Sequence, residues 1–242
     1  EAGGIGAELE SVAEEMGGTV PDPESTGRLL DSEMFKCAAD RLLREAGVRP
    51  LLHCLVTDAV VVDGEIRGVI TESKSGRRAV LAKTVVDATG DADVADRAGV
   101  PCTMAPKDEL MAVTVGFTLS GIDTEVFWNQ VERHPSQITD WASNTSEKEE
   151  GLFSTYFRDV FDRARADGVV PADAPLGGYW DAITDEGEAR GLNLVHLFDV
   201  DPTDVWELTE AEMEGRRQVL WAIEALRKYQ PGFEQAKLRS IG

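Results

Sequence analysis

Several things are scarce in this sequence, and each scarcity removes a class of protein. Cysteine is one: Cys37, Cys54 and Cys102 lie far apart, with no CxxC pair. They support neither a disulfide framework nor a zinc site, and they fit a reducing cytoplasm. Basic residues are few, 24 against 45 acidic, which leaves a net charge of −21. A field of that sign repels nucleic acid and anionic membrane and favours solubility. No apolar run approaches the ~20 residues of a membrane span, and no signal-peptide pattern opens the chain. Histidine occurs three times, at His53, His134 and His196. None is spaced from another His, Cys or carboxylate as metal ligands are, so no metal site is expected. GxSxG and GxxxxGK are missing, which leaves hydrolase and P-loop readings without support. What is present is an ordinary hydrophobic fraction of 42% over 242 residues. That suffices to bury a core, as one large domain or two small ones.

The hydrophobic period changes along the chain. Ile5, Leu9, Val12, Ala13 and Met16 predict an amphipathic helix over 5–16, stopped by Gly17-Gly18. Residues 19–30, with Pro21, Pro23 and Gly27, read as a loop. Asp31 or Ser32 then caps a second helix carrying Met34, Phe35, Ala38, Leu42 and Leu43, which ends at Gly47. From Leu51 the period becomes that of strands: Leu51–Val62, Ile66–Glu72 and Ala79–Leu81. Asp63-Gly64 and Ser75-Gly76 are hairpin-turn dipeptides between them, so a β-meander is expected.

The stretch KTVVDATGDADVADRAG, residues 83–99, is the point around which the chain is organised. Thr84, Val85 and Val86 form a β-branched run without polar alternation, as in a strand covered on both faces. It stops at Asp87 and meets an Ala88-Thr89-Gly90 turn. Asp91 is a good N-cap for a short helix that closes at Gly99. A strand, a glycine turn and a helix N-terminus leave backbone N–H groups where a phosphate or other anion can sit.

Beyond Gly99, Met111–Leu119 reads as a strand ended by Ser120-Gly121, and Asp123 or Thr124 starts a helix through Val131. Residues 135–148 are polar and turn-rich. Leu152, Phe153, Tyr156, Phe157, Val160, Phe161 and Ala164 make a helical stripe of core type. Residues 168–192, rich in Pro and Gly, read as a long irregular loop of the kind that lines pockets. Asn193–Val200 is a further strand. Thr209 and Glu212 form a capping box for a long helix to Tyr229, ended by Pro231-Gly232. His196 is a candidate proton donor or substrate hydrogen-bonder, weighed against a partly buried structural histidine. Arg190 and Asn193 are polar groups of the same region.

VVDATGDADVADRAGVP resembles the second flavin-contacting segment of FAD-dependent oxidoreductases in the glutathione-reductase-like superfamily. The nearest pattern is the "DATGDGDLAxxAG" segment of one FAD-dependent oxidoreductase family. LTEAEMEGRRQVLWAIEALRKYQPGFEQAKL resembles that family's helix ending in a "PGF" turn, and the likeness runs with gaps from about Gly4 to the C-terminus. The resemblance implies a mixed α/β and α+β chain. Residues 1–105 would be a β-meander plus part of a Rossmann-like FAD-binding domain, and 106–208 an α+β substrate domain. Residues 209–242 would be a helix returning toward the FAD domain. It implies FAD as cofactor, with contacts from Val56, Ala88, Thr89, Gly90 and Asp91, and His196 as the candidate catalytic residue on the substrate side. It further implies hydride transfer with a small organic substrate; a homo-oligomer is left open, and the cytoplasm suggested by the cysteines is the expected compartment. The βαβ unit with GxGxxG that opens such enzymes has no counterpart here. The chain, which starts at Glu1 without methionine and stops after KLRSIG, is therefore expected to be an inner piece of a longer protein, inactive alone and binding FAD weakly or not at all by itself. The alternative is a non-catalytic interaction module, or a split subunit completed by a partner chain bearing the GxGxxG unit.

Overall fold

The computed structural model describes residues 3–21, 28–133, 157–179 and 182–242. It is a mixed helix and strand fold with antiparallel sheets, and it divides into two compact units.

The first unit comprises Glu1–Gly18 and Ser32–Ala105. Helices α1 (Ile5–Glu15) and α2 (Ser32–Glu45) fall where the periodicity puts them. They meet through Val12, Ala13 and Ala38, with Leu9, Met16 and Leu42 packed on these. Gly18 is needed here: a Cβ would lie 2.4 Å from the Met34 Cβ. The expected meander forms as β3 (Cys54–Val62), β4 (Glu65–Ser73) and β5 (Arg78–Leu81), paired in that order. At Gly68, φ is +157° and a Cβ would fall 2.2 Å from the Val80 carbonyl oxygen, so β5 can pair closely only with glycine there.

The expected strand at Thr84–Val86 does not form. These residues run without a strand partner among the described residues, and Val86 is 83% exposed. A buried parallel-type strand needs neighbours on both edges and cover on both faces, and local β-propensity cannot supply them. Helix α3 spans Asp93–Arg97, starting two residues after the predicted Asp91.

The second unit comprises Thr19–Asp31 and Pro106–Gly242. The segment read as a loop holds a hairpin instead, β1 (Thr19–Pro21) with β2 (Arg28–Leu30); residues 22–27 lie outside the described part. The central sheet is antiparallel, in the order β10 (Lys237–Ile241), β6 (Phe117–Ser120), β9 (Glu188–Val195), β7 (Leu176–Tyr179). Strand β6 is Phe117–Ser120, shorter than the predicted Met111–Leu119, of which Val113 makes a lone bridge to Leu197. Helix α4 (Thr124–Arg133) is capped by Asp123, whose carboxylate accepts the Val126 N–H at 3.0 Å. The predicted apolar stripe appears in α5 (Arg158–Ala166), with Phe157, Val160, Phe161 and Ala164 buried. Its Leu152, Phe153 and Tyr156, like the 135–148 stretch and His134, lie outside the described residues.

The long irregular loop is a correction. Residues 168–192 contain β7 (Leu176–Tyr179), β8 (Ala182–Ile183) and the start of β9 (Glu188–Val195). Strand β9 thus begins five residues before the predicted Asn193. Strands β7 and β8 pair with its C-terminal and N-terminal halves respectively. Glycines at 177, 178, 187 and 191 disguised these strands as loop, because each marks a bulge, turn or close approach within pairing segments.

Helix α6 (Val205–Tyr229) is also longer than predicted. Its cap is Asp204, which accepts the N–H groups of Trp206 and Glu207, while Thr209 sits inside the helix and donates to the Val205 carbonyl at 2.7 Å. The Thr209–Glu212 capping box therefore does not exist. Gly215 lets this helix approach the sheet: a Cβ there would lie 2.3 Å from Val115. Val219, Ala222, Leu226 and Phe233 join Leu119, Leu192, Leu194, Phe127 and Phe161 in a continuous, fully buried core. Among the described residues, no helix is long and apolar enough to cross a membrane.

Candidate functional site

In the first unit, the segment after Val86 is ordered by one carboxylate. Asp87 accepts the Thr89 hydroxyl at 2.7 Å and the Thr89 N–H at 3.1 Å through one oxygen. Its other oxygen accepts the Ala95 N–H at 2.9 Å. Thr89 Oγ1 in turn accepts the Asp93 N–H at 2.9 Å. The Thr89 hydroxyl, then the Ala95 and Thr89 N–H groups, hold the Asp87 carboxyl below its ordinary value, since all stabilise the charged form. Asp87 and Thr89 thus do what the sequence suggested for Asp91: they cap α3. The helix begins after Ala92, which takes a left-handed conformation (φ 60°), so Asp91 stands too far back to cap it.

This changes where an anion or cofactor could be met. The α3 N–H groups of Asp93 and Ala95 are already satisfied, so the helix end is not the receptor that the strand–turn–helix pattern suggested. The N–H groups of Gly90, Asp91 and Ala92 make no hydrogen bond among the described residues. Gly90 has φ +92°, and a Cβ added to it meets nothing within 4 Å. The loop tip is held from beneath and open above. Ala88, Thr89, Gly90 and Asp91 are all exposed on it.

Val56 belongs to the same unit. It is half-buried in β3 and pairs with Thr71 of β4. The next residue ties β3 to α3, because Arg97 Nε donates to the Thr57 carbonyl at 2.9 Å. Arg97 also bonds Asp93 at 3.0 Å. Arg97 thus ties the residue after Val56 to α3, the helix that follows the 88–91 turn.

His196 lies in the second unit, one residue past the end of β9 rather than inside a strand. It faces a cleft of about 430 Å³ lined by Arg158, Asp162, Arg165, Leu176, Gly177 and Gly178 as well. The His196 ring stacks on Phe198, with centroids 6.4 Å apart and planes inclined by 19°. The cleft wall is the β7 bulge. Between the pairs Leu176↔Val195 and Tyr179↔Asn193 the register shifts, and Gly178 (φ +118°) lies so close to the Asn193 carbonyl that a Cβ would sit 1.9 Å from its oxygen. Arg165 fastens this wall: Nη1 donates to the carbonyls of Ala174 and Leu176 at 3.1 and 2.9 Å, and Nη2 to Asp162 at 2.8 Å.

Arg190 and Asn193 take structural parts. Arg190 pairs with Glu188 at 2.8 Å and with Asp31 at 3.2 Å, fixing the end of the β2 hairpin to β9. Asn193 Oδ1 accepts the Thr114 hydroxyl at 2.9 Å. Among the described residues, no group of three or more His, Cys, Asp or Glu converges as metal ligands would.

Sequence reasoning passed over Asp87, Arg158 and Arg165. The D-x-T spacing of Asp87 and Thr89 was a usable signal for a side chain–backbone turn. The arginines gave none, since on α5 they read as the polar face of a helix.

The family model described as FAD dependent oxidoreductase matches residues 2–242. The chain belongs to the FAD-dependent oxidoreductase family. No curated protein matches it. The family implies FAD binding, and the 87–92 loop fits such a group: open backbone N–H groups at a glycine without a Cβ, on a turn pinned by its own carboxylate. The charges of Asp87 and Asp91 favour hydroxyl groups over phosphate oxygens as side-chain partners.

Proposed function

We propose that this chain is the middle portion of a flavin-dependent oxidoreductase of glutathione-reductase-like type, in which residues 1–105 help to hold FAD and 106–208 help to form the substrate side. The observation that carries the reading is the Gly90 loop. The segment that resembles the family's flavin-contacting motif is also a turn with an open glycine and unengaged N–H groups, braced by Asp87 and Thr89. FAD, when bound, supplies hydride transfer with a small organic substrate; the protein supplies binding, orientation and electrostatics. Ala88, Thr89 and Gly90 would present backbone to the cofactor. Asp91 would accept a hydroxyl, and Val56 would offer backbone from the meander. His196 is the candidate proton donor or hydrogen-bonder on the substrate side. The three cysteines are free thiols, which suits work in the cytoplasm.

Without a GxGxxG-bearing unit, the chain alone binds FAD weakly or not at all. Flavin fluorescence quenching on this chain, and on one extended in both directions, tests it. Retention of FAD by the extended chain supports the reading, and lowered retention on Gly90→Val locates the contact at the loop. If neither chain retains FAD, the flavoenzyme reading fails.

A second reading is a split subunit completed by a partner chain with the GxGxxG unit. The apolar residues that the first unit leaves exposed favour it, among them Val86, Leu81 and Leu55. Flavin retention on mixing the two chains separates the two readings.

A further inference from the structure

We propose that helix α6 is a dimer contact, on which a second copy of this chain packs antiparallel across the face carrying Trp206, Met213 and Leu220. The first argument is the pattern. A helix lying on a sheet buries one face and turns charged and polar side chains outward. Helix α6 buries Ala211, Gly215, Val219, Ala222 and Leu226. On its opposite face, however, Trp206, Met213 and Leu220 stand 76%, 58% and 60% exposed. Exposed apolar residues scattered singly are ordinary. These three recur at every seventh position, which lines them up in one row along the helix. A seven-residue apolar repeat is the spacing by which one helix seats on another.

The second argument is charge, and it selects a second copy as the occupant. Four acids precede Gly215 on α6 and four bases follow it, with Glu224 among them. Glu210 and Arg217 stand on the same flank of the apolar row, one before Met213 and one after it. A two-fold axis beside Met213 runs the second helix in reverse. Trp206 then meets the second copy's Leu220, and Glu210 meets the second copy's Arg217, each contact being made twice. A parallel copy would set Glu210 against Glu210 and Arg217 against Arg217, which repel. Two bodies of net charge −21 also repel at long range, so a face that joins them must carry both signs in reciprocal order. Arg217 is held ready on that flank: its guanidinium lies 4.8 Å from the Trp221 ring centroid and pairs with Glu214 at 2.6 Å. With five donors it can take a second carboxylate while keeping the first.

The third argument is composition and size. Trp, Met and Arg are the side chains enriched at the centres of protein interfaces. Met213, at the axis, has a flexible thioether that adapts to its own copy across the two-fold. The row from Trp206 to Leu220 runs for about 21 Å along the helix, at ~1.5 Å per residue. A contact of that length lies at the small end of specific interfaces, so the dimer forms reversibly, with a dissociation constant on the order of micromolar. Every residue invoked belongs to the second unit, and the dimer does not rest on flavin binding.

The test is sedimentation velocity of the 242-residue chain over a concentration series, at about 0.15 M salt. A reversible monomer–dimer equilibrium is expected. Met213→Glu brings two carboxylates together at the axis and should weaken the dimer about a hundredfold. Glu210→Arg turns both reciprocal pairs into like-charge pairs and should weaken it about tenfold. Adding Arg217→Glu exchanges the signs and should restore the dissociation constant to within about threefold of the original. A defect in folding would not give that rescue. All three positions are exposed, and unchanged urea midpoints at concentrations where the chain is monomeric show that the variants fold. A chain that stays monomeric throughout the series would overturn the proposal. So would a dimer indifferent to Met213→Glu, as one built on the exposed apolar residues of the first unit would be. A double variant that dimerises no more tightly than Glu210→Arg alone would overturn it as well.

Discussion

The two units use apolar residues in opposite ways. The second closes its sheet on α5 and α6 and buries Phe127, Phe161, Phe233, Leu192 and Leu194 almost completely. The first pairs α1 with α2 through a few small side chains, while Leu55 and Leu81 of the meander and Val86 beyond it stand 69%, 71% and 83% exposed. Both have the same kind of sequence: periodic, apolar and well punctuated by glycine. The difference teaches that periodicity specifies elements, whereas burial depends on what is available to cover them.

The largest effect separates the units directly. Phe161→Ala opens a cavity in the closed core and should cost about 3–5 kcal/mol, read from the midpoint of urea unfolding. Leu55→Ala, on the open meander, should change stability by no more than about 0.5 kcal/mol. Equal costs would mean that the meander face is covered in solution, and the contrast would disappear.

Glycines sharpen the comparison at the next scale. Gly178→Ala drives a Cβ into the Asn193 carbonyl and should cost on the order of 1–3 kcal/mol, through strain in a site fixed by its neighbours. Gly90→Ala meets no atom and should cost only the left-handed backbone term, about 1–2 kcal/mol. Thermal unfolding of the two variants decides the order. A larger loss at Gly90 would contradict the open loop.

The smallest effect is local and depends on pH. The folded-state value of Asp87 lies below its ordinary 3.8. Its contribution is therefore complete above the unfolded value, and it is lost as pH falls through the lower, folded value. Amide exchange at Ala95 should be protected at neutral pH and should rise only below that range, with Asp87→Asn exposing it throughout. Protection of Ala95 that survives both acid and Asp87→Asn would remove Asp87 as the cap.

Much of this was legible in the sequence, for reasons that particular residues show. Helices α1, α2 and α4 and the meander carry strong periods and turn dipeptides and form near their predicted bounds, whereas α6 keeps its predicted end but is capped at Asp204 instead of Thr209. Thr84–Val86 carried an equally clear strand signal and has no strand partner among the described residues, because pairing is a property of neighbours and not of propensity. Strands β7, β8 and the first half of β9 were hidden by Gly177, Gly178, Gly187 and Gly191, which read locally as loop. Strand β10 (Lys237–Ile241) is defined by its pairing with β6, over a hundred residues earlier. The candidate sites divide in the same way. The 87–91 turn is contiguous and was visible as a motif, although its cap was assigned to Asp91 instead of Asp87. The cleft draws Arg158 and Arg165 from α5, Gly177 and Gly178 from β7, and His196 from beyond β9. No single window of sequence contains it.

In the proposed flavoenzyme, the tip of the 87–99 segment meets the flavin. Amide hydrogen exchange on the extended, FAD-retaining protein, compared with its flavin-free form, tests that most directly. Flavin should protect the N–H groups of Gly90, Asp91 and Ala92, and should leave Asp93 and Ala95, already bonded to Thr89 and Asp87, little changed. Unaltered exchange at 90–92 in a protein that holds FAD would contradict it.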